Sequence, residues 1–490
     1  MMRKGYLVAL NRALPNVRFM GGACWVAWFC VMYGCEISFF GVQLSSGAAN
    51  HIYIVVNAAQ MAVFFAVAVW HERFYRLVYN DRFVVASGVL ASVGTVLTFA
   101  LFSLAEGYWY LLGAIFSGIG MGIIPCRMIL QFAELDAKDC LIVAAAVQIV
   151  GNMVSYTVLS IFVLVRPWAF ALLPSIAAFL LLVDLTEEQD KLAVFSVCEW
   201  RLPAWFWRLA VSMLFFVIPS GVCRSCFPVF TGEAYLVDFR RLTGILNIVL
   251  MAIAILAVAG LSRRHNFGLI VYRALLVSSV ICITLSLIGP ASGITLGIVG
   301  SVNAVINLCV WVLLSCIAFR TGASTLRVFG MGYGAFSLGN IISWGVGEAV
   351  SVFDLSLNAV TTMIVIASIA MLVAALFLLR GSDIERIMDY AMPDVDKDAD
   401  FSERVPPMGD DRKGRSGWRA KCEIVSSQAQ LTARERDIFM LLVRGDSARS
   451  ISDELSISYN TARNHIQRVY AKAGVHSKEE LQAMTREIEL

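Results

Sequence analysis

From Tyr459 to Ala473 the chain reads Tyr-Asn-Thr-Ala-Arg-Asn-His-Ile-Gln-Arg-Val-Tyr-Ala-Lys-Ala. At helical period, Ala462, Ile466, Val469 and Tyr470 share one face, and Asn460, Arg463, Asn464, Gln467, Arg468 and Lys472 share the other. The polar face carries amides, guanidinium groups and an ammonium, and no acid. An amide presents a donor beside an acceptor, and a guanidinium presents a fork of donors. Those patterns match the base edges in the major groove of double-stranded DNA, whose width admits one helix.

A second group of chemically active types stands inside long apolar runs. Glu36 lies in Cys35-Glu36-Ile37-Ser38-Phe39, Arg224 in Cys223-Arg224-Ser225-Cys226-Phe227, and Glu348 in a third run. The first two share the pattern Cys-charge-x-x-Phe. A charge at bilayer depth is costly and marks a functional site unless it is neutralised structurally. Glu36, Arg224 and Glu348 are therefore candidate ligand-binding residues, with a structural Glu36–Arg224 ion pair as the competing reading. Asn57, Gln60, Gln148, Asn152, Asn303, Asn307 and Asn340 occur in the same apolar runs and are candidates to line the same site.

Enzymatic chemistry has no comparable set. There is no nucleophile with a base and an acid, no phosphate loop, and the five histidines are scattered. Cys223 and Cys226 form a lone CxxC with no second pair, so no metal site is expected. Most of the twelve cysteines lie in apolar runs and serve as small hydrophobes. The chain does not read as an enzyme, and no cofactor is expected.

The elements that must carry these residues follow from composition. The 490 residues are 59% hydrophobic and 15% charged, with a mean hydropathy of +0.73. Soluble domains are nearer ~25% charged. Such an excess of apolar side chains requires a lipid bilayer as partner. No cleavable signal pattern is visible in residues 1–18, which carry Arg3, Lys4, Arg12 and Arg18.

A span needs ~20 apolar residues. About twelve such runs are predicted: 19–43, 48–70, 83–104, 108–130, 140–165 and 167–184, then 204–230, 242–261, 268–289, 292–318, 328–352 and 357–379. The runs are too long and too evenly apolar for barrel strands, so the spans are helices. The net charge of +3 is unevenly placed. With the N-terminus inside, Arg73, Arg76, Arg82, Arg127, Lys138, Lys191, Arg201, Arg263, Arg264, Arg320 and Arg327 all fall in inside loops. The outside loops hold only Arg166, Arg240 and Arg241. This predicts a multi-pass protein of the inner (cytoplasmic) membrane with its C-terminus in the cytoplasm.

Residues 1–380 thus form a polytopic membrane domain. Residues 381–428, acidic and then basic, with Pro393, Pro406 and Pro407, read as a flexible linker. Residues 429–490 read as a small four-helix domain. Thr432 and Glu435 have capping-box spacing, Gly445 ends the first helix, and Ser447 can cap the second. The turn Ser456-Ile457 leads to the helix from Tyr459, Gly474 stops it, and Ser477 starts a fourth. The fold class is all-α: two six-helix halves plus this helix-turn-helix domain.

Two resemblances follow. Two halves of six spans joined by the polar stretch Glu187–Arg201 resemble the major facilitator superfamily over roughly residues 19–380. The signature loop of that family is only partly kept: Asp81-Arg82 is present, but the usual glycine and the trailing basic cluster are not. That departure speaks against coupled transport and leaves the fold untouched.

The C-terminal stretch resembles the DNA-binding domain of the LuxR family. The residues that carry it are Leu431-Thr432, Arg434-Glu435, Ile438, Leu441-Leu442, Gly445, Ile451, Leu455, Ile457-Ser458, Thr461, His465-Ile466 and Lys472-x-Gly474-Val475. The resemblance implies that Arg463, Asn464 and Gln467 face bases, that Thr461, Arg468 and Lys472 lie near phosphates, and that His465 packs. It also implies dimerisation through the fourth helix, with RNA polymerase as a further partner. No receiver domain precedes the motif, so the signal is expected to enter through the membrane bundle. The expectation is a membrane-bound, sequence-specific transcription regulator that senses a small-molecule ligand. The alternative is a secondary transporter with a regulatory DNA-binding appendage.

Overall fold

The structure is a computed structural model. It describes residues 17–32, 38–39, 42–43, 46–104, 107–182 except 134, 136 and 163, 204–231, 234–259, 267–288, 293–321, 324–376 except 375, and, with short gaps, 422–487. The chain divides into two compact units, Met1–Asp389 and Tyr390–Leu490.

In the first unit a turn of 3-10 helix, Val17–Phe19, opens α1 (Met20–Met32). There follow α2 (Ser46–Val69), α3 (His71–Val78), α4 (Asp81–Leu104), α5 (Tyr110–Phe132), α6 (Ala137–Ser160) and α7 (Arg166–Leu180). The second half consists of α8 (Ala204–Thr231), α9 (Ala234–Ala259), α10 (Phe267–Ile288), α11 (Gly293–Thr321), α12 (Thr325–Val352) and α13 (Leu357–Val373). Seven of these (α2, α4, α5, α6, α8, α9 and α11) are long and apolar enough to cross a membrane. Helices α1, α7 and α13 and the segment 273–282 of α10 are shorter apolar helices. Val89, Val93, Ile253, Leu256 and Ile366 stay exposed on these helices, where only hydrocarbon solvates them well.

The two halves repeat one packing scheme. Helix α1 packs on α6 and α7, as α8 packs on α12 and α13. Helix α4 packs on α5 and α7, as α10 packs on α11 and α13, and the pair α2–α5 has its counterpart in α9–α11. Two seams join the halves, α2 against α12 and α6 against α9. Close approach relies on glycine. A Cβ on Gly94 would lie 2.5 Å from the backbone nitrogen of Ser117, and one on Gly113 would lie 2.7 Å from the Gly94 carbonyl oxygen. Such contacts let α4 and α5 meet backbone to backbone, as small residues do between membrane helices. Buried indoles on α1 are satisfied internally: Trp25 donates to the Met121 carbonyl at 3.1 Å, and Trp28 to Thr95 Oγ1 at 3.1 Å.

One expectation needs correction. The first apolar run, 19–43, is not one helix. Helix α1 is described as far as Met32, and Ser38–Phe39 (β1) pairs antiparallel with Val42–Gln43 (β2) in the register Ser38↔Gln43, Phe39↔Val42. Hydropathy alone is blind to such a change of backbone direction. In addition, α3 forms a short amphipathic helix between α2 and α4, burying His71, Tyr75 and Val78 while Glu72, Arg73 and Arg76 stay exposed.

In the second unit, α14 (Ala433–Arg444), α15 (Tyr459–Ala473) and α16 (Lys478–Glu487) surround a core of Leu431, Ile438, Phe439, Leu442, Ala448, Ile451, Ala462, Ile466, Val469 and Leu481. Cys422 and Val425, from helical residues inside the stretch read as linker, belong to the same core. Their spacing of three places both on one helical face, a signal lost among the charges that precede it.

Candidate ligand cavity and nucleic-acid interface

A cavity of about 210 Å³ lies between the two halves of the membrane unit. All seven amides singled out above line it: Asn57 and Gln60 on α2, Gln148 and Asn152 on α6, Asn303 and Asn307 on α11, and Asn340 on α12. Asn247 on α9 completes the set, a residue that the sequence reading passed over although its type and setting are the same. Aromatic side chains, among them Trp25, Phe29, Tyr53, Tyr156 and Tyr333, form the apolar walls.

Several amides are oriented by neighbours. Tyr53 donates to Asn340 Oδ1 at 3.3 Å and stacks on Trp344 with ring centroids 3.9 Å apart. Ser220 donates to Asn303 Oδ1 at 3.0 Å, and Asn307 Nδ2 donates to the Tyr333 hydroxyl at 3.1 Å. These bonds fix the amides without consuming all their capacity. Gln60 Nε2, Asn247 Oδ1 and Asn307 Oδ1 are buried with no hydrogen-bond partner among the described residues.

Arg224, on α8, also lines the cavity. Helix α8 holds in its half the place that α1 holds in the other, so the cavity is built at a symmetric position. Glu36, the other half of the expected pair, lies outside the described residues. Glu348 is not among the described residues that line the cavity. It stands one turn from the end of α12, where its Oε1 lies 3.1 Å from His51 Nε2. His51 Nδ1 in turn lies 3.0 Å from the Tyr110 hydroxyl. Glu348 thus ties α12 to α2 at one end of their seam, and histidine was the partner that the sequence reading missed.

In the C-terminal unit local signals fix the helices. Thr432 N–H donates to Glu435 Oε2 at 2.8 Å, and Glu435 N–H donates to Thr432 Oγ1 at 3.4 Å, a reciprocal capping box at the start of α14. At the end of α15 Gly474 has φ +70°, Val475 N–H donates to the Tyr470 carbonyl at 3.0 Å, and Gly474 N–H to that of Ala471 at 3.4 Å. That is a Schellman motif, which asks for glycine in the left-handed region. Ser477 Oγ accepts from Glu480 N–H at 3.1 Å and caps α16. Arg434 donates to the Leu455 carbonyl at 2.9 Å, and Gln482 donates to the carbonyls of Leu442 and Val443 at the end of α14.

Helix α15 carries the interface candidates. Ala462, Ile466 and Val469 are buried, and His465 is packed at 6% exposure, as read from sequence. Gln467 is exposed, and Thr461, Arg463, Asn464 and Arg468 are half-buried. The side chain of Asn460 lies outside the described residues. Lys472, expected near a phosphate, makes contacts inside the domain. Its ammonium is held internally, 2.6 Å from Glu435 Oε2 and 3.3 Å from the Gln430 carbonyl oxygen. Burial raises the Glu435 carboxyl, but the bonds from Lys472 and Thr432 prevail and hold it below the ordinary carboxylate range.

Known proteins resemble each unit separately. The family model described as bacterial regulatory proteins, luxR family, matches residues 429–485. The spore germination protein GerE of Bacillus subtilis (strain 168) is 44% identical over 52 residues, covering 11% of this chain and 70% of that protein. The crystal structure of the major facilitator superfamily transporter FucP in the outward conformation is similar with a TM-score of 0.50 and 10% identity, covering 75% of this chain and 99% of that one. A structure of the E. coli fucose:proton symporter FucP has a TM-score of 0.50 and 11% identity, covering 76% of this chain and 99% of that one. At these identities the likeness is one of fold.

Proposed function

Since this chain belongs, through its C-terminal domain, to the LuxR family of bacterial regulatory proteins and carries that domain behind a transporter-like helical bundle, we propose that it is a membrane-bound transcription regulator whose bundle binds a small molecule. The observation that carries the reading is the coexistence of two polar surfaces in one chain. One is the amide-lined cavity of the bundle. The other is the outward face of α15, with Arg463, Asn464 and Gln467.

The C-terminal domain contributes sequence-specific binding to double-stranded DNA. Arg463, Asn464 and Gln467 contact base edges, and Thr461 and Arg468 lie toward the backbone. Two copies meet through α16, and the DNA-bound dimer engages RNA polymerase. The bundle crosses the inner membrane twelve times with both termini in the cytoplasm. A ligand in the cavity shifts the bundle only by its differential affinity for two states. A preference of ~100-fold corresponds to about 2.7 kcal/mol, enough to change how two DNA-binding domains meet.

The test is a footprint of the full chain, reconstituted in nanodiscs, on DNA flanking its own coding sequence. A protected site that disappears with Arg463→Ala/Gln467→Ala supports the reading. Absence of any sequence preference, together with saturable solute uptake into vesicles, would favour a transporter instead.

A further inference from the structure

We propose that the cavity takes a small organic monoanion, a carboxylate bearing additional hydrogen-bonding groups. The proposal rests on the reading of the cavity as a ligand site and names what it selects.

Three observations carry it. The first is charge. Arg224 is the only Lys, Arg, His, Asp or Glu among the described residues that line the cavity, and it makes no hydrogen bond or salt bridge within the described residues. It lies near enough to Cys30 and Tyr53 to act on both electrostatically. A guanidinium is planar and always protonated, and it matches a carboxylate with two parallel hydrogen bonds. A cationic ligand would meet repulsion from it and, among the described lining residues, no compensating acid. A phosphate monoester carries close to two charges at neutral pH, so half of its charge would stay unmatched where Arg224 is the one charged side chain among the described lining residues.

The second observation is the orphaned amides. Gln60 is 2% exposed and Asn247 7%, both residues line the cavity, and each has a buried amide atom without a partner among the described residues. Asn307 has a third. Unmatched buried polar atoms are destabilising. Hydroxyl, amino or carbonyl groups on the bound molecule relieve that penalty. One donor and two acceptors wait on three helices, α2, α9 and α11, so the ligand is polar on more than one side.

The third is size. A dry cavity of ~150 Å³ holds a benzene ring. The 210 Å³ here admits a six-membered ring or its open-chain equivalent with two or three small substituents. The aromatic walls cover the faces of such a body, while Arg224 and the amides take its edges.

The experiment follows thermal unfolding of the purified full chain in nanodiscs. The probes are matched triplets on benzene, cyclohexane and linear six-carbon skeletons, each as carboxylate, primary carboxamide and ammonium at millimolar concentration, with and without hydroxyl substituents. Carboxylates on at least one skeleton are expected to raise the unfolding temperature, and hydroxylated ones to do so at lower concentration. Arg224→Gln should weaken that binding tenfold or more, as expected for losing a charge-assisted hydrogen bond. Arg224→Lys should recover part of it, which separates a lost ligand contact from a misfolded bundle. Carboxamides or ammonium probes acting as well as carboxylates would overturn the monoanion assignment, as would stabilisation by no carboxylate at all. Carboxylate binding that survives Arg224→Gln but falls with Gln60→Leu or Asn307→Leu would remove Arg224 from the proposal and keep the cavity. Binding that survives all three substitutions would show that the cavity is not the site, and the reading on which the proposal rests would fall.

Discussion

The Lys472 ammonium lies 2.6 Å from Oε2 of Glu435, a carboxylate whose side chain is only 2% exposed. The pair joins the last turn of α15 to the first turn of α14, and the same carboxylate completes the capping box with Thr432. Lys472 is therefore a structural residue of the DNA-binding domain. Removing one partner of a buried pair is destabilising by roughly 3 kcal/mol. Lys472→Ala should lower the unfolding temperature of the domain, and its loss of DNA binding should track the unfolded fraction. A variant that stays fully folded yet binds all DNA weakly would restore Lys472 to the phosphate contacts.

The same carboxylate sets a pH dependence. Burial pushes the Glu435 carboxyl up, but the bonds from Lys472 and Thr432 lower it overall, from a reference value of 4.5. A depressed carboxylate contributes stability that is present above its unfolded value and is lost as pH falls through its folded value. Acidification below about 4.5 should therefore destabilise the domain progressively, while the range from neutral down to that value should change little through this group. Glu435→Gln should be less stable at neutral pH and show a flatter acid dependence, measured by circular dichroism melts across pH. Equal slopes for the two proteins would reject this account.

Base reading should sit on the exposed face of α15. Arg463→Ala and Gln467→Ala should each cost ~1–3 kcal/mol of specific affinity and relax the choice of base at one position. Arg468→Ala should weaken binding to all sequences and reduce its salt dependence. Selection from a randomised DNA pool reads both effects. An unchanged consensus in the Arg463, Asn464 and Gln467 variants would place the reading face elsewhere.

Gly474 is needed for its backbone alone. Its φ is +70°, and an added Cβ would meet nothing within 4 Å. Gly474→Ala should thus be destabilising by ~1 kcal/mol from left-handed strain, and Thr432→Ala by ~1 kcal/mol from the lost cap. Both should leave sequence preference intact. A shift in consensus in either variant would mean that these positions act on recognition directly.

Glu348 and His51 bridge the halves at one end of the α2–α12 seam, 3.1 Å apart and each about one-third exposed (28% for His51, 31% for Glu348). A partly exposed pair of this kind contributes ~1 kcal/mol or less. Glu348→Gln should therefore change the balance of bundle states by no more than about fivefold, read as basal activity of a reporter gene. A complete loss of response would instead make Glu348 a ligand contact.

Topology is open to a direct check. Reporter fusions after Asp394 should report cytoplasm and fusions near Ser46 the outside, as the arginine-rich loops require. An external signal after Asp394 would remove the DNA-binding domain from its target compartment.

Residues 431–490 were legible in sequence because their determinants are local. Thr432 and Glu435 are three residues apart, Gly474 ends a helix whose apolar positions recur at helical period, and Ser477 caps the next. Short-range hydrogen bonds and backbone preferences are written in adjacent residues, so type and spacing determine them. For the same reason the apolar runs revealed a multi-helix membrane domain, and the amides inside those runs stood out by type against a lipid background.

Tertiary structure alone decided which of these groups meet. Asn57, Gln148, Asn303 and Asn340 come from four helices, and only the two-fold repeat of helix packing brings them with Arg224 to one cavity. It also separated Glu348 from that cavity and gave it His51, 297 residues away in sequence, and it turned Lys472 inward onto Glu435 across 37. The hairpin at Ser38–Gln43 escaped for a related reason, since hydropathy measures partition into lipid and carries no record of backbone direction. A side chain's chemical capacity belongs to its type and its neighbours in sequence. Its partner is set by the packing of distant helices, which depends on shape complementarity summed over the whole bundle.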